Sequence, residues 1–398
     1  MVAHKLKRNI KIVYALAFFH MFMLIVPVIV PFFQSKGLSL AEIFYLQAIY
    51  AFAIVVLEAP SGYFADVMGR RLALLIGSAA HGIGFFWLNF VDGFWGLAAF
   101  ELILGIAMSM LSGADLALLF DTEKALAEKE QEHSLSLAHL GFTKSLAEGS
   151  GALLGGMLAL WSFDLMVLIQ SLIAWVCLLL ALMIVEPPCK GSSPVRPQLS
   201  IKAIYTHLLF GDKLLRQLFI AIPLYNLATF HALWLIQPYW EKNGVSLALF
   251  GALWFAQSLT VGLANKLGYT LEKKKGAVFT LLLIGLLPIA GHFGMAWFNG
   301  WTGIALCFIL FFSRGLYQVI LINALNNRVP GDFRATANSL TSLLFRFGFI
   351  LTGPLIGYLA EHQGLSVTLN ILGLASVLMF ALIILPLIRA VSLLPLSR

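Results

Sequence analysis

The segment Pro31-Phe-Phe-Gln-Ser-Lys-Gly-Leu-Ser-Leu-Ala41 occurs a second time in this chain, as Pro238-Tyr-Trp-Glu-Lys-Asn-Gly-Val-Ser-Leu-Ala248. The two copies begin 207 residues apart. A second set of matches lies 202 residues apart and pairs Gly113 with Gly315, Lys144 with Arg346, Gly151 with Gly353 and Gly155 with Gly357. The repeats predict two halves of about 200 residues that share one plan.

The composition is that of a membrane protein. Of the 398 residues, 60% are hydrophobic and only 11% are charged, far from the balance of soluble domains. The apolar stretches are long enough to cross a bilayer as helices, and they lack the alternation of a barrel wall. The sequence therefore predicts an all-α membrane protein with twelve spans, six in each half. The predicted spans are 10–33, 41–64, 72–91, 94–120, 134–161, 164–185, 214–240, 247–271, 276–298, 300–326, 333–361 and 364–388.

The distribution of Lys and Arg predicts the orientation. Basic residues are concentrated in the N-terminal tail, in the central loop and in the loops after spans 2 and 8, whereas the opposite loops contain only Lys36 and Lys242. By the positive-inside rule both termini face the cytoplasm. We expect a multi-pass protein of the bacterial inner membrane. The net charge of +7 follows from this bias and does not indicate a nucleic-acid partner.

The predicted domains are an N-terminal six-helix bundle over 1–189, a cytoplasmic linker over 190–212 and a C-terminal six-helix bundle over 213–398. The linker is rich in Pro and Gly, and its segment from Leu199 to Phe210 predicts a short helix on the inner membrane surface. The first apolar run is too long for a signal peptide and is expected to remain as span 1. Three cysteines give no disulfide or metal framework, so no cofactor or metal is expected.

The loop after span 2 reads Gly62-Tyr-Phe-Ala-Asp66-Val-Met-Gly69-Arg70-Arg71. It resembles the signature loop of the major facilitator superfamily, in which Gly, Asp and Gly-Arg recur at this spacing. Glu58-Ala-Pro-Ser61 and Ser112-Gly-Ala-Asp115, followed by Asp121, are similar to a drug-and-metabolite branch of that family. With two six-span halves, the resemblance covers the whole chain and implies two bundles related by a pseudo-two-fold axis.

The resemblance also implies a cytoplasmic gate, in which a charge cluster latches the two halves on the inner side. We assign that role to Asp66, Arg70, Asp121 and Arg334. Gly62 and Gly69 are expected to allow close backbone approach and a tight turn, and Asp66 to accept hydrogen bonds from a helix N-terminus. The second copy of the loop places Lys273 where Asp66 stands in the first, so no equivalent latch is expected there.

Span 5 contains Gly151-Ala-Leu-Leu-Gly155-Gly156, which is similar to the antiporter motif Gly-Pro-x-x-Gly-Gly with Ala152 in place of the proline. Span 11 has Gly353-Pro-Leu-Ile-Gly357 and keeps the proline. Small residues favour close helix packing in lipid, and that role by itself explains the glycines. The direction of transport, import or export, stays open.

Ionisable residues inside spans are the main functional candidates, because their burial in lipid is costly. The N-terminal half contains Glu58, Glu101, Asp115, Lys144 and Glu148, whereas the C-terminal half contains Arg314 and Arg346. The acids of the C-terminal half, Glu241, Glu272, Asp332 and Glu361, all lie at span ends. The countercharge of the two arginines must therefore come from the other half, from backbone or water, or from a bound anion.

These residues are predicted to line a substrate and proton cavity. Lys144 and Glu148 are one helical turn apart, which allows them to pair locally. Lys144 and Arg346 hold equivalent positions in the repeat and are expected on opposite walls of the cavity. Of the histidines in spans, His20 and His231 are kept as candidates because spans 1 and 7 line the cavity in the family. Glu101 is expected to be structural.

The predicted function is secondary active transport of a small organic solute by alternating access. The sequence contains no phosphate-binding loop and no catalytic motif, so we expect no enzyme activity and coupling to an ion gradient, with protons as the first choice. The arginines favour an anionic solute, such as a carboxylate metabolite or a metal-chelating organic acid. Two alternatives remain, a multidrug/proton antiporter for lipophilic compounds and a lipid flippase. The expected partners are a small-molecule substrate, protons and the lipid bilayer, and the chain is expected to act as a monomer.

Overall fold

A computed structural model describes residues 2–126, 130–188, 201–330 and 334–392. Residues 189–200, which comprise Cys189 and the first part of the predicted linker, lie outside the described residues, and so does Asp332 among the predicted span-end acids. All regular structure in the described part is helical, in agreement with the predicted fold class. The helices are α1 Val2–Met21, α2 Ile29–Ser35, α3 Leu40–Met68, α4 Arg70–Trp87, α5 Gly93–Leu111, α6 Ala114–Ala125, α7 Glu130–Ala159, α8 Phe163–Leu182, α9 Ile201–Phe210, α10 Lys213–Lys242, α11 Leu247–Lys275, α12 Ala277–Trp297, α13 Gly300–Asn326, α14 Arg334–His362, α15 Leu365–Met379 and α16 Leu385–Ser392.

The helices match the predicted spans in number and order. Within the described residues, ten helical segments are long and apolar enough to cross a membrane. The helices α4 and α7 occupy the remaining positions, those of predicted spans 3 and 5, and are less apolar because charged and small polar residues interrupt them. In span 12, a π-helical turn at Phe380–Ile384 joins α15 to α16.

The repeated segment forms the same turn in both halves. The backbone N–H of Leu38 donates to the Phe33 carbonyl, at 3.2 Å, and that of Val245 donates to the Trp240 carbonyl, at 3.0 Å. The glycine that precedes each donor, Gly37 or Gly244, has a positive φ, +85° or +73°. Each turn is a Schellman cap, in which glycine takes the left-handed conformation and an apolar residue closes the helix end. This physical requirement explains why glycine followed by an apolar residue occurs in both copies of the segment.

Span 1 is interrupted, which corrects the continuous helix predicted over 10–33. The helix α1 ends at Met21, a non-helical stretch follows, and helical structure resumes with a 3-10 turn at Val26–Val28 that leads into α2. A hydropathy profile cannot reveal such a break, because an apolar residue contributes the same hydropathy value in a helix as in an extended stretch. The counterpart in the second half, α10, is continuous.

Span 4 is also interrupted, which corrects the continuous helix predicted over 94–120. Gly113 has a φ of +82° and separates α5 from α6. Its repeat partner Gly315 lies inside the continuous helix α13. The two glycines hold equivalent positions in the repeat but differ in backbone conformation. Together with the break in span 1, this gives the first half two broken spans, whereas their counterparts α10 and α13 in the second half are continuous.

The contacts divide the chain into two compact units, Met1–Pro194 with Ser246–Phe255, and Val195–Val245 with Ala256–Arg398. The first turns of α11 thus pack within unit 1. The buried apolar residues of unit 1 form a core between α1, α4, α6 and α8. In unit 2 a core between α10, α11, α13 and α14 also takes in Leu208 of α9, which is fully buried. The predicted linker helix is therefore present at Ile201–Phe210 and packs on unit 2.

Candidate functional site

Asp115 and Lys144 form a charged pair between two helices of unit 1. The Lys144 ammonium lies 2.6 Å from Asp115 Oδ2, and the Asp115 side chain is 9% exposed against 32% for Lys144. The break at Gly113 places Asp115 in the first turn of α6, where the helix dipole favours a carboxylate. The predicted pairing of Lys144 with Glu148 is wrong, because the nearer acid comes from another helix.

The two breaks in unit 1 converge on this pair. His20 stands in the last turn of α1, just before the break in span 1, and interacts electrostatically with Asp115 and Lys144. Its ring contacts that of His81 edge-on, with ring centroids 4.9 Å apart. Both histidines are buried, and His81 Nε2 has no hydrogen-bond partner among the described residues. Interrupted helices that present charged side chains in a membrane are a common feature of ion and substrate sites.

The other acids of unit 1 have different surroundings. Glu148 accepts a hydrogen bond from Trp254 Nε1, at 3.3 Å. Glu58 Oε2 is buried and has no hydrogen-bond partner among the described residues. Glu101 is buried and accepts a hydrogen bond of 2.8 Å from Gln47 Nε2, which agrees with a structural role.

The break in span 1 is held by a side chain that sequence reasoning missed. Gln170 of α8 is fully buried, and its amide bridges the break, since its Oε1 accepts from Leu24 N at 2.6 Å while its Nε2 donates to the Phe22 carbonyl at 3.4 Å. A polar amide in an apolar span is the signal that could have drawn attention to it.

The glycines of the antiporter-like motif pack on the same break. A Cβ added at Gly155 would overlap the carbonyl oxygen of Leu24, and one at Gly151 would lie 3.0 Å from Met23 N. These glycines therefore let α7 approach the non-helical backbone of span 1. The sequence predicted that these glycines serve helix packing. In the structure they also contact the non-helical backbone of span 1.

The loop between α3 and α4 brings three of the predicted gate residues together. Arg70 NH1 lies 2.5 Å from Asp66 Oδ1, and Arg70 Nε lies 3.6 Å from Asp121 Oδ2. Both carboxylates are partly exposed, so solvent weakens the individual ion pairs.

Glu186, four residues after the end of α8, caps the N-terminus of α4. Its two carboxylate oxygens accept hydrogen bonds from Arg70 N and Arg71 N, each at 2.8 Å. The helix N-terminus expected to bind Asp66 is therefore occupied by Glu186. Gly69 has a φ of +101°, and a Cβ there would lie 3.1 Å from the Glu186 carboxyl group. The tight turn expected at Gly69 thus has two causes, its backbone conformation and the capping carboxylate.

The remaining gate residues behave differently. Gly62 lies on an exposed part of α3, and a Cβ added there would meet no atom within 4 Å. Among the described residues, the expected close approach at Gly62 is therefore not found. Arg334 begins α14 in unit 2, and its Nε donates to the Val329 carbonyl at 3.4 Å.

Glu186→Gln is expected to lower the free energy of unfolding by about 1 kcal/mol, since the amide keeps one acceptor but turns an N–H toward the second backbone donor. Thermal unfolding in detergent measures the change. Glu241→Gln, at an exposed acid near the end of α10, serves as the control. Equal stability of the two variants would contradict the capping role.

Two arginines distinguish unit 2. Arg314 of α13 donates from NH1 to Thr229 Oγ1, at 3.1 Å, and its guanidinium carbon lies 6.0 Å from the ring centroid of Phe230. Arg346 of α14 is half-buried, and its Nε has no hydrogen-bond partner among the described residues. Within the described part of unit 2, neither arginine forms an ion pair. The described acids Glu241, Glu272 and Glu361 lie near helix ends, as predicted.

His231 is a packing residue in this structure. It is buried, its Nε2 lies 3.0 Å from Thr352 Oγ1, and its ring stacks on that of Phe349. Among the described residues, no group of three or more His, Cys, Asp or Glu side chains could hold a metal ion.

Comparisons with known proteins agree with this architecture. The family model of the Major Facilitator Superfamily matches residues 12–352. Quinolone resistance protein NorA of Staphylococcus aureus (strain MRSA252) is 21% identical over 343 residues, which are 84% of this chain and 84% of that protein. The crystal structure of the nucleoside transporter NupG superposes with a TM-score of 0.79 at 14% identity, over 96% of this chain and 98% of that one.

A bacterial homolog to the human lysosomal transporter Spinster, in an inward-facing and occupied conformation, superposes with a TM-score of 0.72 at 15% identity. That likeness covers 96% of this chain and 95% of the other. At these identities the structural likeness shows the fold alone, which is the predicted arrangement of twelve transmembrane helices in two bundles. Because the family model covers most of the sequence, this chain belongs to the Major Facilitator Superfamily, whose members are membrane transporters and not enzymes.

Proposed function

We propose that this protein is a secondary active transporter that moves a small organic anion together with protons by alternating access. The observation that carries the proposal is the state of Arg314 and Arg346, two half-buried cations without an acid partner in the described part of unit 2. A buried, unpaired cation is costly. A solute with a carboxylate or similar group supplies the missing partner.

Proton coupling is assigned to the Asp115–Lys144 pair of unit 1. In this assignment the transport cycle separates Lys144 from Asp115, and a carboxylate that loses its cation binds a proton more readily. Anion binding and proton uptake are then linked, and linkage acts in both directions. Affinity for the anion should consequently fall as pH rises, by at most tenfold per pH unit for one proton.

The membrane setting follows from the basic residues. We assign both termini to the cytoplasmic side of a bacterial inner membrane because the loops of that side contain most of the Lys and Arg. The Asp66–Arg70–Asp121 cluster and Arg334 keep the assigned role of a cytoplasmic gate. A monomer is sufficient for this mechanism.

The test is the affinity of the purified protein for succinate, citrate and benzoate between about pH 5 and 8, in wild type, Arg314→Gln and Arg346→Gln. We expect tighter binding at low pH and a loss of about 10- to 100-fold in each variant, since a charge-assisted bidentate interaction is removed. Affinity that is independent of pH, together with normal binding by both variants, would contradict the proposal.

A multidrug antiporter is the second candidate, favoured by the similarity to Quinolone resistance protein NorA. It predicts that uncharged lipophilic compounds bind at least as well as carboxylates, and that Arg314→Gln leaves their affinity unchanged. The same binding measurements therefore separate the two candidates.

A further inference from the structure

Aromatic rings from two helices of unit 2 meet around Phe230 of α10. The Phe345 and Phe349 rings of α14 approach it edge-on, with centroid separations of 5.1 and 5.0 Å. Trp234, one turn further along α10, approaches it at 6.4 Å. We call these rings, together with Arg314, whose guanidinium lies over the Phe230 ring, the Phe230 cluster.

The cluster, and Arg346 next to Phe345 in the chain, contain hydrogen-bond donors that lack acceptors among the described residues. Trp234 Nε1 and Arg346 Nε are buried, and neither has a hydrogen-bond partner among the described residues. Arg346 directly follows Phe345, and Arg314 lies over the Phe230 ring, where it bonds only the hydroxyl of Thr229 within the described part of unit 2. Donors without acceptors are costly when buried. Their complement is a ligand that accepts hydrogen bonds and bears negative charge.

The rings themselves remain partly accessible. Phe230, Trp234 and Phe345 are each half-buried, and so are both arginines. Rings that serve only as core filling are usually buried completely, as Tyr225 and Tyr317 are in the core of unit 2. Partly accessible faces and edges offer an aromatic ligand the offset-stacked or edge-on contacts that rings prefer.

We propose that the Phe230 cluster binds a planar aromatic carboxylate, whose ring contacts Phe230, Trp234 and Phe345 while its carboxylate accepts hydrogen bonds from Arg314 and Arg346. The inference rests on the proposed function, since it names the chemical class of the organic anion. An aliphatic acid would satisfy the arginines but not the rings. A neutral aromatic compound would satisfy the rings but leave the guanidinium groups without a countercharge.

The test uses three probes on the purified full chain, 2-naphthoate, decahydro-2-naphthoate and 2-naphthamide, with Kd from calorimetry. The second probe keeps the charge and the carbon skeleton without aromaticity, and the third keeps the rings without the charge. We expect wild type to bind 2-naphthoate about two- to tenfold more tightly than decahydro-2-naphthoate. We expect it to bind 2-naphthoate at least about tenfold more tightly than 2-naphthamide.

Variants locate the two preferences. Phe230→Leu should remove the preference for the aromatic acid over the saturated acid, and Arg314→Gln should remove the preference for the acid over the amide. Phe279→Leu, at an exposed ring of α12 outside the cluster, should change neither. The comparison of probes on wild type needs no variant, so the inference remains testable if Phe230→Leu does not fold.

Equal affinity of wild type for the two acids, with both sensitive to Arg314→Gln, would overturn the aromatic inference and leave the proposed anion transport standing. Equal affinity for 2-naphthoate and 2-naphthamide would overturn both. If both preferences persist in Phe230→Leu and Arg314→Gln, the ligand does not bind at the Phe230 cluster. If wild type binds none of the three probes, the inference is likewise overturned.

Discussion

Gly155→Ala is expected to destabilise the protein by about 3 kcal/mol, at the upper end of the range for overpacking, and to abolish transport. The added Cβ would overlap the carbonyl oxygen of Leu24. That oxygen belongs to the backbone at the break in span 1, so it cannot rotate away as a side chain does. Relief requires α7 to move away from the break, which disturbs the backbone that Gln170 holds in place.

The matched control for this prediction is Gly141→Ala on the same helix. Gly141 is exposed, and a Cβ there would meet no atom of the described residues within 4 Å. Alanine should therefore stabilise the helix by about 0.5–1 kcal/mol. Thermal unfolding in detergent and transport in proteoliposomes measure the two effects. If both substitutions change the free energy of unfolding by the same amount, the close packing of α7 on span 1 does not contribute to stability.

Lys144→Ala is expected to lower the free energy of unfolding by about 2–3 kcal/mol. It leaves the Asp115 carboxylate buried without a cation, and such losses reach about 3–5 kcal/mol for fully buried pairs. The value is smaller here because the Lys144 side chain is 32% exposed. Thermal unfolding with and without Lys144→Ala measures the change.

The double variant Asp115→Asn with Lys144→Gln is the control for charge. It removes both charges and keeps similar side-chain volumes, so its stability should lie within about 1 kcal/mol of wild type. The same variant should lose the dependence of anion affinity on pH, because the carboxylate assigned to proton uptake, that of Asp115, has been removed. Retained pH dependence would assign coupling to another acid, and Glu148→Gln would then be tested next.

The sequence by itself determined the membrane class, the order of the helices and the duplication. Each depends on local composition, because a bilayer requires about 20 apolar residues per span and a Schellman cap requires glycine. The repeat of Gly37 at Gly244 was therefore readable without a structure. The loop from Gly62 to Arg71 likewise indicated the family, which the family model confirms.

Only the tertiary structure decided which charged side chains are partners and where the spans are broken. Lys144 bonds Asp115 and not Glu148 because a neighbouring helix, rather than the same helix, supplies the nearest carboxylate. Glu186 reaches the start of α4 from a position 116 residues away along the chain. The breaks at Phe22–Ile25 and Gly113 leave no mark in hydropathy, because their backbone is stabilised by distant groups such as Gln170. Interactions of this kind depend on packing between helices, and local composition contains no information about them.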